Sequence, residues 1–198
     1  MIKFNNKHKS EPYALFYDYY LQALEKNQPN ADAICISSYS KKLNLVDSRF
    51  VNLKFVNGEE FIFFSNYKSP KSSQFNSHDQ ISVSIFWHNI NVQVRFKASI
   101  KETSKEFNQL YFQNRSSDKN ALAISSSQSK HISSYKDVKD KYYETLNHAN
   151  LSHCPNYWGG YAFIPYEIEY WFGNKFRLNK RILYKKDNTV WNHFILEP

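Results

Sequence analysis

Cysteine is scarce in this chain of 198 residues, which has only Cys35 and Cys154. They lie far apart, and neither has a second cysteine nearby to make a CxxC or zinc spacing, so two reduced thiols in a cytoplasm are the expectation and no metal site is predicted. No apolar run approaches the roughly 20 residues of a membrane helix. The opening Met1-Ile2-Lys3-Phe4-Asn5-Asn6 holds no apolar signal region, so a soluble cytoplasmic protein is expected. There is no GxSxG elbow, no HExxH and no close histidine pair; His78, His88, His131 and His153 read as structural or surface residues. Chemistry would therefore have to come from a cofactor. The basic residues are spread along the chain and form neither a basic block nor a zinc-finger or zipper pattern, which argues against nucleic acid. Internal repeats and clear linkers are also lacking. One domain over 1–198 is expected, with residues 1–10 as a flexible tail.

What is present is positive charge, a formal +8, and an abundance of Lys, Asn, Tyr, Phe and Ile. Charge of that size admits nucleic acid, an anionic surface or phosphorylated ligands, and an AT-rich genome accounts for part of it equally well. Apolar residues at Leu15, Phe16, Tyr19, Tyr20, Ala23 and Leu24 predict an amphipathic helix over Glu11 to Lys26. Short β-rich runs then come at Ala33 to Tyr39, Leu43 to Lys54, Glu60 to Ser65, Gln80 to His88 and Val92 to Glu102, with Asn57-Gly58 as a hairpin turn. Two helices are predicted next, opened by Thr103 with Glu106 and by Ser134 with Asp137, and separated by a polar loop at Ser125 to Ser129. Four closing strands span Tyr157 to Ile164, Glu167 to Phe172, Arg181 to Lys185 and Val190 to Leu196. The pattern predicts a mainly β fold, a closed or nearly closed antiparallel barrel with peripheral helices.

Three segments carry candidate chemistry. In Ser48 to Lys54, Arg49, Val51 and Leu53 share one strand face while Phe50, Asn52 and Lys54 share the other, which suits an extended anion lying across the strand. Edge cations also serve solubility, and that alternative stays open here. Phe64 to Lys71 leaves a strand and enters a helix at Pro70, so hydroxyls, helix-start amides and lysines together could cradle a phosphate. In Trp171 to Arg181 a tryptophan ends a strand and Arg177 and Arg181 flank the start of the next. Guanidinium groups grip phosphate and stack on flat rings, so this grouping suits an aromatic phosphate ester; simple surface packing is the alternative.

Taken together these residues resemble the pyridoxamine 5′-phosphate oxidase family over Glu11 to Pro198. The resemblance is carried by Arg49-Phe50-Val51-Asn52-Leu53-Lys54, Phe64-Ser65-Asn66, Gln93 after Trp87-His88, Tyr111 with Arg115, and Gln128-Ser129. Further along it rests on Tyr157-Trp158-Gly159-Gly160, Glu169-Tyr170-Trp171, Arg177-Leu178, and Arg181 before Leu183-Tyr184. It implies an FMN-binding split β-barrel and a homodimer with FMN at the subunit interface. It places Arg49, Phe50, Val51, Asn52, Leu53, Lys54, Phe64, Ser65, Lys71, Gln93, Gln128, Ser129, Trp171 and Arg181 on the cofactor, with Gln128 and Ser129 reaching it from the second subunit. Lys54, Tyr111, Arg115, Lys119, Arg177 and Asn179 fall on the substrate, a small phosphorylated aromatic. Arg177 covers its ring at the reacting centre.

The implied chemistry is oxidation of pyridoxamine or pyridoxine 5′-phosphate to pyridoxal 5′-phosphate, with molecular oxygen taking up the electrons. The chain departs from the family pattern in four places. Asn179 stands where a histidine is usual, Lys119 where a small hydroxyl residue is, and Pro70 where an arginine is; the basic N-terminal segment is short. A same-fold oxidoreductase acting on another flat ring, such as a dihydrophenazine, and a non-catalytic binder of FMN or pyridoxal phosphate are the alternatives.

Overall fold

The computed structural model describes residues 1–198. Its strands are β1 (Lys3–Asn5), β2 (Ala33–Ser40), β3 (Leu45–Asn57), β4 (Glu60–Asn66), β5 (Gln80–Trp87), β6 (Val92–Glu102), β7 (Trp158–Phe172), β8 (Lys180–Asp187) and β9 (Val190–Leu196). Its α-helices are α1 (Glu11–Glu25), α2 (Pro70–Ser77), α3 (Lys105–Gln113), α4 (Ser117–Ser125) and α5 (Tyr135–His148). No helix is long and apolar enough to cross a membrane.

Six strands close on themselves in the order β3, β2, β5, β6, β7, β4 and back to β3, every pair antiparallel. Closure leaves these strands no free edge. Alternation decides what goes inside: Ile34, Ile36, Val83, Ile85, Val94 and Phe96 are buried, whereas Cys35, Ser37, Ser82 and Ser84 face outward. The interior is strongly aromatic. Phe61 meets Phe16, Phe96 and Phe163 at 5.1 to 5.2 Å between ring centres, and helix α1 plugs the barrel with Phe16 and Tyr20.

Two features break the regularity of this barrel. Between β3 and β4 the register slips, Leu53 facing Phe63 and Phe55 facing Ile62, so Lys54 is the extra, unpaired residue of a bulge. The bulge switches the inward face from Leu53 to Val56 and leaves Phe55 in a second small core beneath α3. Strand β7 is long because it serves three neighbours: β4 along its first half, β8 along its second and β6 along nearly all of it.

Several sequence expectations are corrected. The first residues are not a free tail: Ile2 is buried, its N–H donates to the Tyr20 hydroxyl at 2.8 Å, and β1 runs parallel to β3. Alternation puts Phe4 against Phe16, Tyr17 and Tyr20. The closing strands expected at Tyr157 to Ile164 and Glu167 to Phe172 are one strand, with Tyr166 absorbed where the register against β6 shifts. The cap of α3 is Ser104, whose Oγ accepts from Phe107 N at 3.2 Å, because the Thr103 hydroxyl is engaged with Asn108. Ser134 caps α5 as expected. In the hairpin after β3 the left-handed residue is Gly58 alone. Helix α4 has no counterpart among the predicted elements.

Candidate active site

The bulge at Lys54, the end of β4, the start of α2 and helices α3 and α4 surround one cleft of about 620 Å³. Five cationic side chains line it, Arg49, Lys54, Lys71, Arg115 and Lys119, against one carboxylate, Asp47. They fall into two groups.

At one end lie Arg49 and Lys71. Arg49 extends from the inward face of β3 and is held by Ser38 Oγ at 2.6 Å, Gln74 Oε1 at 2.8 Å and Asp47 Oδ2 at 2.7 Å. Lys71, in the first turn of α2, is buried, and its only partners are hydroxyls, Ser65 Oγ at 3.1 Å and Ser69 Oγ at 3.2 Å. Burial, and then the neighbouring Arg49 charge, pull its pKa down to about 8. A buried ammonium without a carboxylate is costly unless an anion joins it. Ser69 makes no side-chain cap to α2, so the helix start adds its own positive end to this corner.

The other group surrounds an aromatic stack. Tyr111 lies on Phe64 with ring centres 3.8 Å apart and planes 14° apart, and Phe64 lies on Trp158 at 5.1 Å. The Arg115 guanidinium sits 4.4 Å above Trp158 and donates to Asn120 Oδ1 at 3.0 Å. Burial lowers the Arg115 pKa and raises that of Tyr111. Lys54, swung out by its bulge, donates to Asp32 Oδ2 at 2.9 Å. A glycine pair lies beside the stack: a Cβ on Gly160 would crowd Phe64 and collide with the Thr103 hydroxyl, and one on Gly159 would collide with the Tyr67 hydroxyl and Asn108 Nδ2.

Thirteen residues expected at a site from the sequence line this cleft together: Arg49, Phe50, Val51, Asn52, Lys54, Phe64, Ser65, Lys71, Tyr111, Arg115, Lys119, Gln128 and Ser129. Gln128 and Ser129 do so within the same chain as Arg49, whereas the expectation drew them from a second subunit. Leu53 is fully buried in the core, because it occupies the inward position just before the bulge, and can offer a ligand only its backbone. Gln93, Trp171 and Arg181 do not line the cleft. They stand side by side across β6, β7 and β8.

Arg177 and Asn179 are likewise elsewhere, in the turn between β7 and β8. Arg177 is exposed with φ +64°, and Asn179 Oδ1 accepts from Asn174 N at 3.0 Å to close the turn. Asp47, Asn66, Leu122, Ala123, Ser126 and Trp158 line the cleft without having been named as site residues. Trp158 was visible as the residue before the Gly159-Gly160 pair. Leu122 and Ala123 were hidden with α4.

The chain is 32% identical to the pyridoxine/pyridoxamine 5′-phosphate oxidase of Rhodopirellula baltica across 97% of this chain and 88% of that one. The chain belongs to the pyridoxine/pyridoxamine 5′-phosphate oxidase family. It is thereby an oxidoreductase of that family. A second relative, pyridoxine/pyridoxamine 5′-phosphate oxidase 1 of Hydrogenovibrio crunogenus, is also 32% identical, over 96% of this chain and 89% of its own. Residues 158–198 match the family profile described as the pyridoxine 5′-phosphate oxidase C-terminal dimerisation region.

Among solved structures, PhzG from Burkholderia lata 383, in complex with tetrahydrophenazine-1-carboxylic acid, superposes with a TM-score of 0.89 at 21% identity, covering 96% of this chain and 93% of that one. A pyridoxamine 5′-phosphate oxidase-related, FMN-binding protein from Nostoc punctiforme PCC 73102 gives 0.78 at 10% identity, covering 96% of this chain and all of that one. At these identities the likeness concerns the fold, the FMN-binding split barrel of the family.

Proposed function

We propose that this chain is an FMN-dependent oxidase of pyridoxine or pyridoxamine 5′-phosphate that works as a homodimer. The observation that carries the proposal is the division of one cleft into two cationic ends around an aromatic stack, as two phosphate esters lying together would require. Lys71, buried beside Arg49 with only hydroxyl partners, fits the FMN phosphate, with Ser65 and the start of α2 as further donors. Gln128, Ser129 and the β3 segment Arg49 to Lys54 would contact the rest of the cofactor. Lys54, Tyr111, Arg115 and Lys119 would hold the phosphate of the substrate.

FMN, when bound, supplies an acceptor for hydride from the side-chain carbon of the substrate and passes the electrons to oxygen as peroxide. The chain's own residues bind and orient. Fixing both phosphates sets the distance and angle between the two rings, which converts an encounter in solution into a prepared one. Phe64, Tyr111 and Trp158 exclude water from one side of the cleft. The row of Gln93, Trp171 and Arg181, with Arg177 and Asn179 beyond it, would complete the site from the second subunit. The outward face between the two regions suits such a contact: it is flat with Cys35, Ser37, Ser82 and Ser84, and Phe50, 75% exposed, projects from it beside the cleft.

One observation favours a second reading, an oxidoreductase of the same fold acting on another flat ring. Asn179 carries no titratable group and its oxygen is committed to the turn, so it offers no proton exchange at the ring. The deciding experiment is the absorbance spectrum of the purified protein followed by peroxide release with each B6 phosphate ester, with unphosphorylated pyridoxine and with a dihydrophenazine carboxylate. A yellow protein that releases peroxide with the phosphate esters supports the proposal. A yellow protein active only on the dihydrophenazine supports the second reading. One inert toward all of them is a binder, and a protein that takes up no FMN removes every flavin reading.

A further inference from the structure

Glu169 is a carboxylate in an unusual place. It lies on the outward face of β7, yet its side chain is only 9% exposed, because two arginines close over it. Arg181 donates to Glu169 Oε1 through Nε at 2.9 Å, its Nη2 lies 2.9 Å from the same oxygen as an ion pair, and Arg95 Nη1 reaches Oε2 at 3.2 Å. The third nitrogen of Arg181, Nη1, donates to the Glu197 carbonyl at 3.0 Å. Arg95 stands directly opposite Glu169 on β6, and Arg181 comes in diagonally from β8, where its register partner is Trp171. Three strands thus contribute one side chain each to a closed cluster with a net charge of +1.

We propose that Glu169 is a positioning residue for the flavin site, acting through Arg181; this rests on the reading that Arg181 touches FMN. Arginine has a long, flexible stem, and a free guanidinium would lose that freedom on every binding event. Glu169 removes it in advance. By accepting from Nε and pairing with Nη2, and with the Glu197 carbonyl accepting from Nη1, it fixes the plane of the guanidinium while leaving N–H groups on the terminal nitrogens for a ligand, the side chain being 25% exposed. Arg95 has a different task. It neutralises the second carboxylate oxygen, so that Glu169 presents no repulsive charge to the anionic cofactor. As Arg95 is half exposed, solvent screens its contribution, and without it Arg181 alone still balances the carboxylate.

The arrangement is tested by titrating the apoprotein with FMN and following flavin fluorescence, with melting of the apoprotein measured in parallel. Arg181→Ala is expected to weaken FMN binding about 10- to 100-fold. Glu169→Gln, which keeps the shape and removes the charge, is expected to weaken it about 3- to 10-fold. Arg95→Ala should leave it within about twofold. In the Arg181→Ala background, Glu169→Gln should cost nothing further, since its target is already gone.

If Glu169→Gln leaves affinity unchanged while Arg181→Ala lowers it, the positioning role is overturned and the flavin contact stands. Equal losses from Glu169→Gln with and without Arg181 would mean a general structural role, which also overturns it. If Arg181→Ala changes nothing, the flavin contact itself fails, and the proposal with it. Should Glu169→Gln fail to fold, Glu169→Asp makes the same comparison, since it keeps the charge but is one methylene too short to reach both partners.

Discussion

Six of the eight non-glycine residues with positive φ are asparagines; the other two are Ser129 and Arg177. Asparagine tolerates the left-handed region because its short amide bonds locally, whereas serine and arginine there bear a backbone cost of about 1 kcal/mol. Both belong to segments assigned to the site, Ser129 lining the cleft and Arg177 at the tip of the turn before β8. Ser129→Gly should therefore raise the stability of the apoprotein by up to about 1 kcal/mol in urea unfolding while lowering FMN affinity.

Lys71 gives a second expectation at this scale. Its pKa of about 8 lies below the ordinary lysine value, so between pH 8 and 10.5 the unfolded chain holds more protons than the folded one. Stability of the apoprotein accordingly rises with pH across that window, and the penalty is complete below pH 8. A bound phosphate dianion would restore the proton. FMN affinity should then be flat from about pH 7 to 8, where the phosphate is already a dianion, and fall above pH 8, and Lys71→Met should bind FMN weakly throughout and remove the bend at pH 8.

Among the elements, the bulge in β3 and the length of β7 decide the geometry. Without the extra residue at Lys54, the ammonium would be one position out of phase and Phe55 would not reach the small core under α3. Gly159 is the tightest point of that region. Gly159→Ala is expected to cost about 1 to 3 kcal/mol by overpacking, because Tyr67 and Asn108, which hydrogen-bond to each other and to the backbone of Gly160, cannot both retreat. Chemical denaturation would measure it.

The strands were legible in the sequence because alternation in Ile, Val and Phe is a local signal, and the last strand was read with its actual limits, Val190–Leu196. Helix α4 was not legible. Its cap residue Ser116 makes no side-chain bond, only Asn120 and Ala121 are buried, and its apolar residues form no regular stripe. The continuity of β7 was hidden for the opposite reason: Pro165 reads as a break, but it sits where the register shifts and so interrupts no ladder. Of the site, the charged and aromatic residues were legible by type and order. That Leu53 turns inward while Lys54 turns out depends on a bulge, which requires the partner strand to be known.

At the scale of the whole molecule, the cleft and the sheet surface behind it differ in charge balance. The cleft holds five cations to one carboxylate, whereas outside it Arg95, Lys97, Lys101, Arg181, Lys185 and Lys186 all pair with glutamates. The outward face around Phe50 is the part that would be wasted in a monomer. On the proposed function, Phe50→Glu should give a monomer by light scattering and a colourless protein after purification, since a flavin shared between subunits would be lost with the contact.

Strand β7 carries the cleft residue Trp158 at one end and Trp171 at the other, thirteen residues on, which at about 3.3 Å per residue is roughly 40 Å of strand. No mononucleotide spans that length, so each chain would own two unlike halves of two different sites. Two broken genes could therefore mend each other. Lys71→Met and Arg181→Ala, each largely empty as a pure dimer when FMN is limiting, would give a hybrid in which one site carries both lesions and the other carries none. Random reassortment of equal amounts makes half the dimers hybrid, and each hybrid works at one of its two sites. About a quarter of the full activity should return on mixing.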